Sequence, residues 1–308
     1  MRVHMSCRIP ALLTSILMLA SALPAQEALP AVLHAQLETQ LTNAADRLHG
    51  VLGYAIKDLA TGETFLRLPD TVFPQASSIK LTILLELMRQ AQEGKLALDE
   101  KHTLRRSEMT VGDTEPILTM LGDGTVSLSL RDLAIFMVVL SDNTATNVLI
   151  DRLGMDNINS GIARLGLKET KLRRRMIDLE AAKQGNENVS TPREMLTLLE
   201  KVRAGQALDA AHTKDYFDLL KLPKESEFHK ALPEDVPIAD KPGALEAVRC
   251  DTGLIDIPGH PFILSVTTTY LAHDPEGERA VEEVARLTYD HFARLSRSSS
   301  YGRVISNK

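Results

Sequence analysis

Strand-like segments lie near both ends of this chain, and the long stretch between them has mainly helical periodicity. Alternating or β-branched apolar patterns occur in five segments, at residues 51–57, 64–68, 237–241, 253–257 and 261–271. Gly62 and the Pro258-Gly259 pair supply turns between neighbouring segments, which predicts hairpins and therefore antiparallel pairing. Because both chain ends contribute strands, the helical middle part must be inserted between two portions of one sheet.

The order of these segments predicts a mixed α/β fold of the α+β type. We expect an antiparallel sheet flanked by helices near residues 30–48 and 276–295, accompanied by an all-helical lobe. The predicted α/β lobe is discontinuous and combines residues 26–73 with residues 222–308, whereas residues 74–221 form the helical lobe. We expect the active site to lie between the two lobes.

The N-terminus has the layout of a secretory signal peptide, in which basic residues precede an apolar run and small residues. These features are Arg2 and Arg8, the run 9–20, and Ala20-Ser-Ala22. We predict a signal peptide over residues 1–25, with cleavage after Ala22 or Ala25. Cleavage would leave Cys250 as the single cysteine, and an exported protein without disulfides fits a bacterial periplasm. We expect no membrane attachment after cleavage.

Charge and composition exclude several other classes of protein. The 308-residue chain has a formal net charge of −6 and no basic patch, so we expect no nucleic-acid partner. It contains no Gly-rich phosphate loop and no His-x-x-x-His metal helix, and we expect neither a metal nor a cofactor. The expected state is a monomer.

The stretch Phe73-Pro-Gln-Ala-Ser77-Ser-Ile-Lys80 carries the first chemical signal. Pro74 blocks an earlier helix start, and apolar residues then recur at helical spacing from Ile79, which places Ser77 near the first turn. Lys80 lies one turn later on the same face, so the hydroxyl and the amine can meet. A desolvated lysine with a lowered pKa can activate a serine, and the N–H groups of a helix N-terminus suit a developing oxyanion.

Two further motifs follow in the chain. Ser141-Asp142-Asn143 falls at a break between two helical segments, and Lys241-Pro242-Gly243 lies on a predicted strand. Each has a simpler interpretation, since the first is typical of a helix cap and Lys241 could be a solvated charge at a strand end. The three motifs in this order, however, favour a shared catalytic site.

This ordered triplet resembles the signature of class A serine β-lactamases and penicillin-binding serine hydrolases, in which the third motif reads Lys-Thr-Gly. The runs Phe73–Leu81 and Ser141–Asn147 are similar to class A sequence beyond the bare motifs, and the resemblance extends from about residue 30 to 295. It implies an acyl-enzyme on Ser77, with Lys80 as base or proton relay. It also implies that Ser141 passes a proton to the leaving nitrogen.

The resemblance further implies which residues hold the substrate. Asn143 would hold Lys80 and the substrate side chain, and Lys241 would add positive charge near Ser141 and the substrate carboxylate. The strand residues Gly243 and Ala244 would lie along the substrate, and the N–H groups of Ser77 and Ala244 would form the oxyanion hole. Arg249 either binds the substrate carboxylate, as in relatives with an Arg-Asn-Asp run, or is an edge-strand cation.

Two departures from the family pattern bear on activity. Pro242 lacks the hydroxyl that would bond the substrate carboxylate. The Glu-x-x-Leu-Asn run that supplies the deacylating glutamate is absent, and ungapped alignment puts Met176 at that position. Asp178 or Glu180 could supply the carboxylate instead, or both could be surface charges beside Arg173, Arg174 and Arg175.

The predicted function is that of a serine hydrolase that opens the amide bond of β-lactam antibiotics through an acyl-enzyme, which would confer antibiotic resistance. Two alternatives remain open. One is a D-Ala-D-Ala carboxypeptidase or esterase that uses the same acylation chemistry on a cell-wall peptide or ester. The other is a non-hydrolytic penicillin-binding or sensor protein.

Overall fold

The computed structural model describes residues 28–110, 125–299 and 301–304. The predicted signal peptide, residues 1–25, lies outside the described residues. Ten α-helices occur in the described part of the chain: α1 Ala28–Asp46, α2 Lys80–Gln92, α3 Leu130–Val139, α4 Asn143–Leu153, α5 Met155–Arg164, α6 Leu179–Lys183, α7 Pro192–Arg203, α8 Ala210–Leu220, α9 Glu227–Ala231 and α10 Asp274–Arg297.

Nine strands accompany these helices in the described residues. They are β1 Val51–Asp58, β2 Thr64–Arg67, β3 Phe73–Pro74, β4 Lys101–Leu104, β5 Val126–Ser129, β6 Val189–Ser190, β7 Ile238–Leu245, β8 Val248–Ile255 and β9 Phe262–Thr269. Two short 3₁₀ turns, Ala76–Ile79 and Arg106–Glu108, complete the regular structure. No helix among the described residues is both long enough and apolar enough to cross a membrane.

The main sheet is antiparallel and has the strand order β2-β1-β9-β8-β7. Its strands come from residues 51–67 and 238–269, the two chain ends, as the sequence pattern predicts. Strand β7 is an edge strand. An edge strand has no partner on one side, which is where a proline such as Pro242 is tolerated.

Two apolar clusters pack against opposite faces of this sheet. One joins α1 and α10 to the sheet through residues such as Leu41, Ile56 and Phe292, all of them fully buried. The larger cluster contains α2, α3, α4, α7 and α8 and meets the other face at Ala55 and Ile263. The sheet is therefore flanked by helices on both faces, and the mixed α/β prediction is confirmed.

The sequence pattern fails at the hairpin next to the predicted site. It ends one strand at Lys241 and begins the next at Gly253, whereas β7 continues to Leu245 and β8 begins at Val248. Pro242 and the charged residues of this segment hide the strand pattern. The two-residue turn also places Ala247 at a φ of 57°, which sequence alone does not indicate. Residues 220–240 contain three prolines and have the sequence character of a connection, whereas the structure has the short helix α9 within them.

Candidate active site

Ser77 lies in the 3₁₀ turn that precedes α2, and α2 itself begins at Lys80. Ser77 thus lies near the first turn of the helix, as predicted, in the 3₁₀ turn that leads into it. The preceding residue, Ala76, has a φ of 43°, in the left-handed region. Such strained backbone is concentrated at functional sites, and here it turns the chain sharply into the helix at the candidate nucleophile.

Lys80 is buried, with a side chain that reaches the start of α4. Its Nζ lies 2.7 Å from the carbonyl oxygen of Ser141, 3.1 Å from the Ser141 hydroxyl and 3.1 Å from the Asn143 amide oxygen. Burial and the positive charge of Lys241 hold the pKa of Lys80 well below its usual value, although Asp142 opposes the shift. Such an amine can be neutral, and therefore basic, near neutral pH.

Lys241 of β7 contacts the same hydroxyl. Its Nζ is 3.2 Å from the Ser141 hydroxyl and donates to the carbonyl of Pro242 at 3.0 Å. Burial lowers the pKa of Lys241 to about 8, while the carboxylates of Asp240 and Asp251 act against this shift. One serine hydroxyl thus contacts two lysines contributed by distant parts of the chain.

The break between α3 and α4 explains how Ser141 and Asn143 are held. Asp142 caps α4 by accepting a hydrogen bond from the Ala145 N–H at 2.7 Å, so the cap interpretation of this motif is correct for Asp142. Ser141 itself has a φ of 54°. The cap and the strained residue together direct the Ser141 and Asn143 side chains toward Lys80, so the capping and catalytic interpretations are compatible.

Gly243 brings β7 against the turn that carries Ser77. A Cβ atom at this position would lie 2.8 Å from the backbone nitrogens of Ser77 and Ser78 and 2.8 Å from the Cys250 sulfur. No side chain fits into that space, so glycine is needed for the approach. It places the backbone of Gly243 and Ala244 next to Ser77, where an oxyanion hole was predicted.

A cavity of about 340 Å³ opens beside these residues. Its walls include six of the predicted site residues, which are Ser77, Ser141, Asn143, Lys241, Gly243 and Ala244. Lys80 lies behind the wall and reaches it through its bonds to Ser141 and Asn143.

Arg249 is not brought to this cavity. Its guanidinium group pairs with Asp274 and Glu278 of α10, each at 3.2 Å, and donates to the carbonyls of Leu245 and Val248. Neighbouring residues of a strand face opposite sides of the sheet. The side chain of Cys250 faces the Ser77 turn, so Arg249 faces α10. Because β8 lies between β9 and β7, the expectation of an edge-strand cation is wrong as well.

Asp178 and Glu180 are also kept away from the cavity. Asp178 caps the short helix α6 by accepting the Ala181 N–H at 3.0 Å, and Glu180 pairs with Lys183 while its side chain is 78% exposed. Neither residue lines the cavity, although their neighbours Ile177 and Leu179 do. This geometry favours the surface-charge interpretation and gives no support to a role in deacylation.

Met176 occupies the wall of the cavity and is held there through its backbone. Its N–H donates to the Asn147 amide oxygen at 2.8 Å, and its carbonyl accepts from the Asn147 amide nitrogen at 3.2 Å. Asn147 lies on α4, one turn after Asn143. Met176 therefore lines the same cavity as Ser77, at the position where alignment expects a glutamate.

Several cavity residues were missed by the sequence analysis. Arg174, Asn188, Glu225, Glu227 and Lys230 all line the walls. Arg174 is neutralised by Glu187 at 2.7 Å, and burial raises the pKa of the Glu227 carboxyl. No motif marks the connection 220–240, and its approach to the cavity depends on α9, which the sequence did not predict.

Within the described ranges, no group of three or more His, Cys, Asp or Glu side chains is arranged to hold a metal ion.

Comparisons with known proteins agree with this fold. A family model described as the beta-lactamase enzyme family matches residues 36–292. The β-lactamase SME-1 of Serratia marcescens is 26% identical over 258 residues, covering 80% of this chain and 86% of that protein. A β-lactamase structure from Sphaerobacter thermophilus is 28% identical with a TM-score of 0.76, covering 83% of this chain and 97% of the other.

A variant of PBP-A, solved as an acyl-enzyme complex with penicillin G, is a further structural relative. It is 25% identical to this chain with a TM-score of 0.74, covering 85% of this chain and 97% of its own. The fold and the serine–lysine site define a protein of the class A serine β-lactamase and penicillin-binding type. This chain belongs to the beta-lactamase enzyme family.

Proposed function

We propose that this protein opens the amide bond of β-lactams by forming an acyl-enzyme on Ser77, and that hydrolysis of this intermediate is the slow step. The observation that carries the proposal is the shared contact of Lys80 and Lys241 with the Ser141 hydroxyl, on the wall of the cavity that Ser77 lines. Two amines in contact with one hydroxyl, on the wall that Ser77 shares, support a route for the proton that acylation must move.

In this proposal Lys80 in its neutral form takes the proton of the Ser77 hydroxyl as the oxygen attacks the lactam carbonyl. The proton then passes through Ser141 to the leaving ring nitrogen as the carbon–nitrogen bond breaks. Charged Lys241 lowers the energy of the developing negative charge on Ser141, and the N–H groups of Ser77 and Ala244 hold the carbonyl oxygen. Asn143 keeps Lys80 in place through its bond of 3.1 Å.

Slow hydrolysis follows from the side chain of Met176. A thioether cannot take a proton from water, and the described residues that bring a carboxylate to the cavity are Glu225 and Glu227. Both glutamates lie on or next to α9, a different element from the loop of Met176. We expect acylation to be fast and release to lack the general base that the family pattern places at the position of Met176, which is worth about 10²–10⁴ in rate.

The same observation favours a second candidate function. A site that acylates readily and releases β-lactams slowly suits a D-Ala-D-Ala carboxypeptidase or esterase, because its true acyl-enzyme would have a different leaving group and acyl chain. A non-hydrolytic penicillin sensor is the limiting case, in which the acyl group is not released from Ser77 during the assay.

A reporter cephalosporin that changes colour when its ring opens tests the proposal. We expect a burst of one equivalent per protein followed by slow steady turnover, and neither phase with Ser77→Ala. Steady turnover without a burst would contradict the slow release step, and the absence of both phases from the wild-type protein would contradict acylation itself. If the protein releases D-alanine from a D-Ala-D-Ala peptide, or cleaves an ester, at a steady rate higher than that with the cephalosporin, the second candidate function is favoured.

The alkaline limit of acylation should depend on Lys241. Its pKa of about 8 means that it carries a charge below that pH and loses it above. We therefore expect acylation to fall as the pH rises through about 8, whereas Lys241→Arg should shift this fall upward because arginine stays protonated. Acylation rates measured from pH 6 to 10 check this. An identical alkaline limb in both proteins would contradict the assignment.

We also propose how the protein is built and where it acts. The proposal combines a signal peptide over residues 1–25, periplasmic location, a monomeric state and a contribution to antibiotic resistance. It divides the mature chain into an α/β lobe of residues 26–73 and 222–308 and a helical lobe of residues 74–221, with the active site between them. Supporting features are the basic and apolar N-terminus and the position of Ser77 at the start of the helical portion.

A further inference from the structure

Ser78, the residue after the candidate nucleophile, makes a contact that the proposed reaction does not use. It is fully buried, and its hydroxyl donates to the carbonyl of Lys241 on β7 at 2.7 Å. The bond joins two segments that are separated by 163 positions in the chain. It therefore connects the turn that carries Ser77 directly to the strand that carries Lys241 and Ala244.

Cys250 of β8 forms the second part of this connection. Its sulfur is 3.3 Å from the Ser78 hydroxyl, 3.1 Å from the carbonyl of Gln75 and 3.4 Å from the carbonyl of Gly243. Burial raises the pKa of the thiol to about 12, so it remains protonated and can donate a hydrogen bond. The thiol fills the space between β7 and the Ser77 turn.

Gly243 shows how closely the two sides of this junction, the Ser77 turn and β7, approach each other. Its Cα is so close to the turn that an added methyl group would lie 2.8 Å from the Ser77 nitrogen and from the Cys250 sulfur. The proposed oxyanion hole takes one N–H from each side of the junction, from Ser77 and from Ala244. Its width is therefore set by the contacts that hold the turn and the strand together.

We propose that Ser78 and Cys250 are positioning residues that fix the distance between the two N–H groups of the oxyanion hole. The inference rests on the proposed function, since it assumes that Ser77 is acylated. Oxyanion donors act only when they lie about 2.7–3.1 Å from the developing charge, and a misplacement of about 1 Å can lower a rate by roughly 10²-fold. Loss of the Ser78 bond lets β7 move relative to the turn.

Ser78→Ala tests this inference, with Thr288→Val as the matched control. Thr288 is also fully buried and donates to a backbone carbonyl at 2.7 Å, but its bond lies within α10. We expect Ser78→Ala to lower the single-turnover acylation rate constant about 10- to 100-fold while the binding constant before acylation changes little. Thr288→Val should keep an acylation rate constant within about 3-fold of the wild type, although its melting temperature falls about as much as that of Ser78→Ala.

Phenylboronic acid gives a second readout, because its tetrahedral adduct with a serine places an oxygen in the oxyanion hole. Ser78→Ala should weaken this adduct about as much as it slows acylation. The boronic acid readout does not require β-lactams to be substrates. If the wild type fails to react with penicillin, this result contradicts the proposed function but not the positioning inference. If Ser78→Ala acylates and binds the boronic acid like Thr288→Val, the positioning inference is wrong and the proposed function stands.

Cys250 keeps the inference testable if Ser78→Ala does not fold. Cys250→Ser retains a donor for the carbonyl of Gln75, whereas Cys250→Ala removes it. We expect the alanine variant to bind phenylboronic acid about 10-fold more weakly than the serine variant. Equal affinities in these two variants would overturn the role of the thiol.

Discussion

Met176→Glu should accelerate release of the penicillin acyl-enzyme by about 10²–10⁴-fold, the usual contribution of a general base. The substituted side chain would enter the cavity wall that Met176 lines. Its backbone is held by Asn147 through bonds of 2.8 and 3.2 Å that do not involve the side chain, so the position should be retained. The measurement is the decay of the acyl-enzyme mass after excess penicillin is removed.

Met176→Gln is the matched control, because glutamine has the size and polarity of glutamate without its basicity. It should release the acyl group within a few-fold of the wild-type rate. Asp178→Asn and Glu180→Gln should also leave the rate unchanged, since neither side chain lines the cavity. Equal decay of the glutamate and glutamine variants would contradict our account of slow release.

Lys80→Met should lower the acylation rate by about 10²–10⁴-fold, because it removes the base that accepts the Ser77 proton. Methionine has a similar length, so the buried volume is nearly conserved. Single-turnover acylation with a labelled penicillin measures the effect. Acylation within 3-fold of the wild type would contradict the role of Lys80 as the base.

The same substitution should not destabilise the fold. The lowered pKa of Lys80 means that its protonated form is less favourable in the folded chain than in the unfolded chain. This cost is present at neutral pH and disappears as the pH rises toward 10.5, the ordinary lysine value. Lys80→Met should therefore melt at the same or a higher temperature than the wild type at pH 7, with the difference shrinking near pH 10.

The sequence is most informative where local chemistry sets the backbone. The pair Thr191-Pro192 is a helix-start signal in the sequence, and in the structure Thr191 caps α7 and Pro192 occupies its first turn, because both residues act within one turn of chain. Gly154 ends α4 with a φ of 85°, a conformation that glycine adopts without steric cost. The motif residues Ser77, Ser141 and Lys241 likewise line one cavity, which their order in the chain allowed us to expect.

The sequence is least informative where tertiary contacts decide the outcome. Arg249 has the residue type and the motif context for carboxylate binding, but the carboxylates of Asp274 and Glu278 draw it to α10. The cavity wall also contains residues on or next to α9, namely Glu225, Glu227 and Lys230. No periodic pattern in the sequence predicts this helix. The contacts of Ser78 and Cys250 depend on the close approach of Gly243, which is visible only in three dimensions.

The central claim is that Ser77 is the residue that becomes acylated, and peptide mapping after brief exposure to penicillin tests it most directly. Trypsin should release residues 68–80 as one peptide that contains both Ser77 and Ser78, and fragmentation distinguishes the two serines. We predict one penicilloyl group, located on Ser77 and absent from Ser77→Ala. An adduct on any other residue, or labelling that persists in Ser77→Ala, would contradict the account.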